Sequence, residues 1–190
     1  VAAAPAAAQP LAATAVAKSA DLASVVNNSP LDAQLFYQLL IGEIELRDGS
    51  PGSAFEVILD AARKQKSEQL FKRAADIALQ ARAGEQALLA ARAWREALPE
   101  SIEAHRYVAQ LLVALGKPAE TLDPLRSLIR LTPPAERAAL VNSLPRFFAS
   151  SSDKKAIPPL LEELLDGVAV VPATHLAALQ ALAGAWLIAD

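Results

Sequence analysis

From Pro30 onwards, apolar residues recur three and four positions apart along the whole chain. This spacing gathers apolar side chains on one face of an α-helix, and no alternating run of valine, isoleucine or tyrosine predicts a strand. Glycine and proline interrupt the pattern repeatedly, for example at Gly49, Gly84 and Gly116. The sequence therefore predicts an all-α protein of helices joined by short turns, the connection that antiparallel helix pairs require.

Three predicted second helices share one pattern of small and large residues. The matching residues are Ala54, Ile58 and Ala61, then Ala90, Trp94 and Ala97, and more loosely Thr121, Leu125 and Leu128. In the first helix of each pair, a large residue precedes a small one. These residues are Ile41-Gly42, Ile77-Ala78 and Val108-Ala109. The pattern indicates an internal repeat, because its second-helix sets begin at residues 54, 90 and 121.

This pattern resembles the tetratricopeptide repeat, a pair of helices about 34 residues long. The resemblance implies a right-handed superhelical stack of antiparallel helix pairs, in which the small residues allow close approach and Trp94 fills the space between repeats. The expected units are 31–66, 69–99, 102–133, a degenerate pair at 134–167 and a lone helix at 174–190. Pro145 must kink or end the helix that contains it.

Segments between Leu31 and Ser101 are also similar to the bacterial envelope tetratricopeptide lipoproteins. The segments are Tyr37-Gln38-Leu39-Leu40 with Glu43, Arg73-Ala74-Ala75 with Ile77-Ala78, Glu85-Gln86-Ala87-Leu88, and Ala91 with Trp94. Members of that group act as adaptors for carboxyl-terminal processing proteases and cell-wall hydrolases. The resemblance implies a regulator of proteolysis on the periplasmic side of a bacterial envelope, with a cytoplasmic location as the alternative.

Residues 1–30 differ from the rest, with 12 alanines, three prolines and no aromatic residue. This composition predicts a tether, with a weak helix over Leu11–Val26. The chain begins at Val1 and contains no methionine, so we expect that a signal peptide, tag or upstream domain has been removed. We also expect the array to continue beyond Asp190, because stacked repeats normally finish with a polar capping helix.

Composition excludes several classes of function. The net charge is −3, which argues against a nucleic-acid partner. There is no cysteine and there are only two histidines, so we expect no metal site and no cofactor. No run approaches the roughly 20 apolar residues of a membrane-spanning helix, so we expect no transmembrane segment.

The sequence offers little that predicts catalysis. His105 and His175 are the only imidazoles available to a nucleophilic triad. Glu162 and Glu163 are adjacent, so on a helix they point in different directions and cannot share one proton. No glycine-rich loop for phosphate or zinc-protease motif is present. We therefore expect a non-catalytic protein and place an enzyme last among the alternatives.

A stacked array of this kind binds partners along the concave groove formed by its first helices. Helical geometry relative to Gly42, Ala78 and Ala109 places polar and aromatic residues along that groove, together with the apolar Ala75, Leu79 and Val113. The predicted groove residues are Phe36, Glu43, Arg47, Lys72, Arg82, Glu103, Arg106 and Gln110. Their cations suit an extended or helical segment of a partner protein, which arginine grips through carboxylates or carbonyls.

Two other interpretations stay open. Glu43 and Arg47 are four residues apart, so they can simply pair along one helix. The chain can also self-assemble into a homo-oligomer through the amino-terminal tail or the apolar end at Trp186–Ala189, because uncovered apolar faces mark interfaces.

Overall fold

The computed structural model describes residues 33–151 and 153–189, and within these ranges the chain is helical and contains no strand. The prediction of an all-α fold is confirmed there. The helices are α1 (Ala33–Arg47), α2 (Pro51–Gln65), α3 (Glu68–Gln80), α4 (Gly84–Ala97), α5 (Ile102–Ala114), a 3-10 turn (Pro118–Thr121), α6 (Leu122–Leu131), α7 (Pro134–Phe147), α8 (Ile157–Ala169) and α9 (Pro172–Ala189).

The chain divides into two compact units, Val1–Phe36 and Tyr37–Asp190. Only residues 33–36 of the first unit are described, and they form the first turn of α1. The predicted tether and the predicted weak helix over Leu11–Val26 lie outside the described residues.

Many prolines that interrupt the sequence pattern begin helices. Pro51, Pro134 and Pro172 each stand at the first residue of α2, α7 and α9. Proline fits there because the first backbone N–H of a helix has no partner within the helix. Pro145 lies inside α7, which continues to Phe147, so the helix does not end at this proline. Proline thus marks the beginnings of these three helices.

Consecutive helices from α2 to α6 pack against each other in chain order. Short turns join them, so each runs antiparallel to the next. Helices two apart also touch, as α2 does with α4 and α6 with α8. The order changes beyond α6, because α7 and α8 both pack mainly against α9.

Two apolar clusters form the core, and α5 belongs to both. Trp94, Phe71 and Ile77 lie in the first cluster, which extends to Val108 of α5. Ala109 of α5 begins the second cluster, which continues through α6 to α9. Because one helix carries successive residues into both clusters, packing is continuous across the middle of the unit.

The residues of the repeat pattern lie in this core. Gly42 is buried, and Ala78 and Ala109 are at most 1% exposed. A Cβ atom at Gly42 would lie 2.7 Å from Cδ1 of Ile58, so α1 and α2 approach closely at this point. The second-helix residues Trp94 and Leu125 are also almost fully buried. The repeat pattern therefore describes the packing contacts between helices.

Candidate protein-binding surface

Polar side chains join α1, α3 and α5 into one surface. Arg73 of α3 donates two hydrogen bonds to the Glu43 carboxylate of α1, at 3.0 and 2.8 Å. Tyr107 of α5 donates one to the Asp76 carboxylate of α3, at 2.7 Å. These contacts place the three first helices side by side. We call their exposed side, from Tyr37 onwards, the odd-helix surface.

A second set of polar contacts joins the helices that alternate with these. Arg92 and Arg95 of α4 reach Glu120 at 2.7 Å and Asp123 at 2.8 Å. Arg126 of α6 pairs with Glu163 of α8 at 2.9 Å. The first and second helices therefore form two separate rows, each held by contacts between neighbours in the row.

Glu43 does not pair with Arg47 along α1, because its carboxylate accepts both hydrogen bonds of Arg73. Arg47 lies one turn further along α1, and Lys72 directly precedes Arg73. Both are exposed, and neither has an ion-pair partner within the described ranges. Arg47 and Lys72 therefore lie on either side of the ion pair between Glu43 and Arg73 and have no carboxylate partner of their own.

The predicted cations on α5 and after α3 differ in their surroundings. Arg106 donates to Glu103 at 2.9 Å, three residues earlier on α5, so this pair carries no net charge. Gln110 is exposed on the same helix. Arg82 is exposed in the turn after α3, with the left-handed φ of 57°. Positive charge on the odd-helix surface is thus concentrated on α1 and α3.

The apolar part of the predicted groove is smaller than the helical geometry implied. Leu79 is 43% exposed, but Ala75 and Val113 are buried in the core and cannot meet a partner. Both were placed on the groove by counting from a small residue, and the contacts of α3 and α5 with their neighbours cover them. Phe36, in the first unit, is 58% exposed.

Sequence reasoning missed the residues that connect the first helices: Arg73, Asp76 and Tyr107. Burial, together with the hydrogen bond to Asp76, raises the pKa of Tyr107 to about 12. A usable signal was present, because each contact joins positions about one repeat of roughly 34 residues apart.

The two histidines have backbone partners. His105 is 4% exposed, and its Nε2 lies 2.9 Å from the carbonyl oxygen of Pro99. His175 is exposed, and its Nδ1 lies 2.7 Å from the carbonyl oxygen of Ala169. Each ring contacts the turn before its own helix. In the described part of the chain, no three His, Asp or Glu residues gather as a metal site would require.

Helix α9 is long and apolar enough to cross a membrane by length and composition alone, with a mean hydropathy of 1.2 over 18 residues. It is the one such helix among the described residues. A helix packed inside a protein passes the same test, and α9 contacts α7 and α8 along one side.

The odd-helix surface is thus a polar, cationic surface supported by three helices, with exposed apolar side chains at Leu40, Ile44 and Leu79. Comparison with family models, with curated proteins and with solved structures gives no match to this chain.

Proposed function

We propose that this protein is a non-catalytic scaffold that binds a segment of a partner protein across the odd-helix surface. The observation that carries the proposal is a set of three exposed cations on α1, on α3 and in the turn after α3, namely Arg47, Lys72 and Arg82, which have no ion-pair partners among the described residues. Of the other cations that the structure describes, seven pair with a carboxylate, as Arg95 does with Asp123, and seven do not. Uncompensated charge beside exposed Leu79 suits a partner that brings both carboxylates and an apolar side chain.

The chemistry of the surface favours an acidic segment, extended or helical. Arginine can hold a carboxylate through two parallel hydrogen bonds, whereas lysine acts as a point charge. The ion pair between Glu43 and Arg73 joins α1 to α3. The helices that carry Arg47 and Lys72 are therefore held in fixed relative positions. Such an arrangement lowers the entropy that binding would otherwise cost.

The resemblance to tetratricopeptide adaptors extends this proposal to a specific class of partner. We propose a carboxyl-terminal processing protease or a cell-wall hydrolase in a bacterial envelope, with the cytoplasm as the alternative location. This part rests on the repeat pattern around Gly42, Ala78 and Trp94 and on the segments similar to the lipoprotein group.

The experiment that tests the proposal is affinity capture from a bacterial envelope extract, read by mass spectrometry. Wild type is compared with a triple charge reversal of Arg47, Lys72 and Arg82 to Glu. A matched control reverses three exposed cations elsewhere, Arg63, Arg130 and Lys155, and changes the net charge equally. Circular dichroism must show that all three proteins keep their helical content.

A protease or hydrolase that is enriched by wild type and by the control, but lost with the triple variant, supports the proposal. Equal capture by all three proteins would exclude the odd-helix surface as the binding site. Equal loss from both variants would mean that overall charge, rather than these three cations, governs the association.

Homo-oligomerisation is the second candidate function. It is favoured by Trp186 and Leu187 at the end of α9, which are 55% and 79% exposed. Apolar side chains this accessible are unusual on a monomer when they are contiguous.

A further inference from the structure

Helix α9 carries a continuous apolar stripe that no described helix covers. Leu176, Leu179 and Trp186 are 66%, 48% and 55% exposed, and Ala183 between them is also exposed. Their separations of three, four and three residues are those of a seam between paired helices. The whole of Pro172–Ala189 contains no Asp, Glu, Lys or Arg, so the stripe is uncharged.

Three of the four stripe positions are buried in α3, another first helix. Counted from the small residue of each repeat, the equivalents of Leu176, Leu179 and Ala183 in α3 are Phe71, Ala74 and Ala78. All three are at most 1% exposed. In α1 this face meets the following antiparallel helix, where Gly42 approaches Ile58. The stripe on α9 is therefore a packing face of the kind that an antiparallel helix covers in the rest of the array.

We propose that a second copy of this chain covers the stripe, with two α9 helices paired antiparallel about a two-fold axis at position 181. In this register Leu179 faces Ala183 of the second copy, and Leu176 faces Trp186 of the second copy. The two bulky side chains Leu176 and Trp186 then pack against each other across the seam, and the small Ala183 makes room for Leu179. The face is self-complementary, as a two-fold interface requires.

The size of the face is consistent with a stable dimer. Leu187 is 79% exposed beside the stripe, and Val170 and Val171, just before α9, are 81% and 49% exposed. Together with the stripe these side chains expose on the order of several hundred Å², approaching the roughly 800 Å² per partner of a standard interface. A monomeric protein seldom exposes a contiguous apolar patch this large.

The charge pattern favours a second copy as the occupant. Several neighbouring helices within the two rows are joined by ion pairs or polar hydrogen bonds, as α6 and α8 are through Arg126 and Glu163. Helix α9 uses Gln180 in this way toward Asn142 of α7, at 3.0 Å, and its outer stripe has no charged group. The matching surface must itself be uncharged and apolar, and α9 of another copy meets that condition. The inference deepens the second candidate function, homo-oligomerisation, and does not rest on the scaffold function, because it concerns a different face from the odd-helix surface.

Mass measurement by light scattering across a dilution series tests the inference. We expect wild type to be a dimer that dissociates on dilution. Leu179→Glu should raise the dissociation constant at least roughly 100-fold, because the two-fold axis places the substitution in the interface twice. Leu89→Glu is the matched control, since Leu89 is 47% exposed on α4, and it should remain dimeric. Wild type that is monomeric up to its solubility limit would overturn the inference.

Cysteine cross-linking tests the register without native background, because the chain contains no cysteine. Under oxidation, a mixture of the single variants Leu179→Cys and Ala183→Cys should form a heterodimeric disulfide. Each variant alone should cross-link at least roughly tenfold less, since like positions are offset along an antiparallel pair. Efficient cross-linking of Ala183→Cys to itself would contradict the proposed register.

A membrane surface is the competing occupant, and flotation with vesicles of phosphatidylcholine and phosphatidylglycerol distinguishes it. Wild type that floats with the vesicles, is monomeric without them and loses flotation with Leu179→Glu would assign the stripe to lipid. Wild type that stays with the unbound fraction while remaining dimeric supports the second copy.

Discussion

Trp94 shows how a single repeat residue contributes to stability. It is 2% exposed, and its ring centroid lies 5.7 Å from that of Tyr107, on the first helix of the next pair. Its Nε1 is buried with no hydrogen-bond partner. Trp94 therefore stabilises the fold through packing between pairs, as its place in the repeat pattern predicted.

Trp94→Ala should lower the free energy of unfolding by about 3–5 kcal/mol, because truncation leaves a cavity between α4 and α5. Chemical denaturation followed by circular dichroism measures the loss. The matched control is Trp186→Ala, at the 55% exposed tryptophan, which should cost less than about 1 kcal/mol in dilute monomeric protein. Equal losses for the two variants would mean that Trp94 does not hold the pairs together.

Tyr107 donates a hydrogen bond to Asp76, and its contribution to stability depends on pH. Its pKa is raised from 10.0 to about 12, first by burial and then by that hydrogen bond. The unfolded chain therefore releases the phenol proton at lower pH than the folded chain does. The contribution of Tyr107 to stability is complete below pH 10 and falls as the pH rises toward 12.

We expect Tyr107→Phe to cost about 0.5–1.5 kcal/mol at neutral pH, through loss of the hydrogen bond. Between pH 10 and 12 the difference from wild type should shrink, because the variant has no phenol at this position to titrate. Urea denaturation at a series of pH values measures this. The control Tyr37→Phe removes an exposed phenol and should leave the alkaline loss of stability unchanged. A difference that stays constant with pH would contradict the role assigned to Tyr107.

At the scale of helices, close approach at small residues decides which helices pair. Gly42 of α1 lies against Ile58 of α2, where an added Cβ would come within 2.9 Å of Cγ1 and 2.7 Å of Cδ1. Gly52, within α2 itself, has no atom within 4 Å of the corresponding point. Glycine is thus needed for close packing at position 42, whereas position 52 has space for a side chain.

Gly42→Leu should destabilise the protein by about 1–3 kcal/mol, because the larger side chain overfills the contact between α1 and α2. Gly52→Leu should be neutral or stabilise by up to about 1 kcal/mol, since leucine favours a helix over glycine. Thermal unfolding of both variants provides the comparison. The double variant Gly42→Leu/Ile58→Ala should lose less stability than the sum of the two single losses, and strict additivity would show that the two residues do not share the contact.

At the scale of the molecule, the two apolar clusters meet in α5, where Val108 belongs to one and Ala109 to the other. In an array whose elements touch only their neighbours, stability is close to a sum of local terms. A destabilising substitution in one cluster should therefore lower the stability of the helices of that cluster first. Its effect on the other cluster should be transmitted through α5.

Ile77→Ala in the first cluster and Leu161→Ala in the second form a matched pair, since both residues are fully buried. Each should cost about 2–5 kcal/mol. Hydrogen exchange read by mass spectrometry should show that Ile77→Ala lowers protection mainly in α2 to α4, and Leu161→Ala mainly in α7 to α9. Uniform loss of protection by either variant would mean that the described helices unfold as a single unit.

Sequence reasoning was most successful for properties that depend on the spacing of residues within one helix. The helical fold of the described residues and the burial of Gly42 and Trp94 follow from spacing and backbone chemistry alone. It was less successful for the candidate surface. Ala75 and Val113 were expected in the groove and are buried, because packing between helices depends on rotations that spacing does not specify.

The amino-acid sequence by itself determined that the described chain is helical and that the small residues Gly42, Ala78 and Ala109 lie in the core, since the period of a helix is a local property of the backbone. Only the tertiary structure decided the long-range partners. Glu43 pairs with Arg73 rather than with Arg47, and α9 packs on both α7 and α8 while leaving Leu176 and Trp186 exposed. Such contacts join residues far apart along the chain, and they are set by how helices dock, which no local pattern contains.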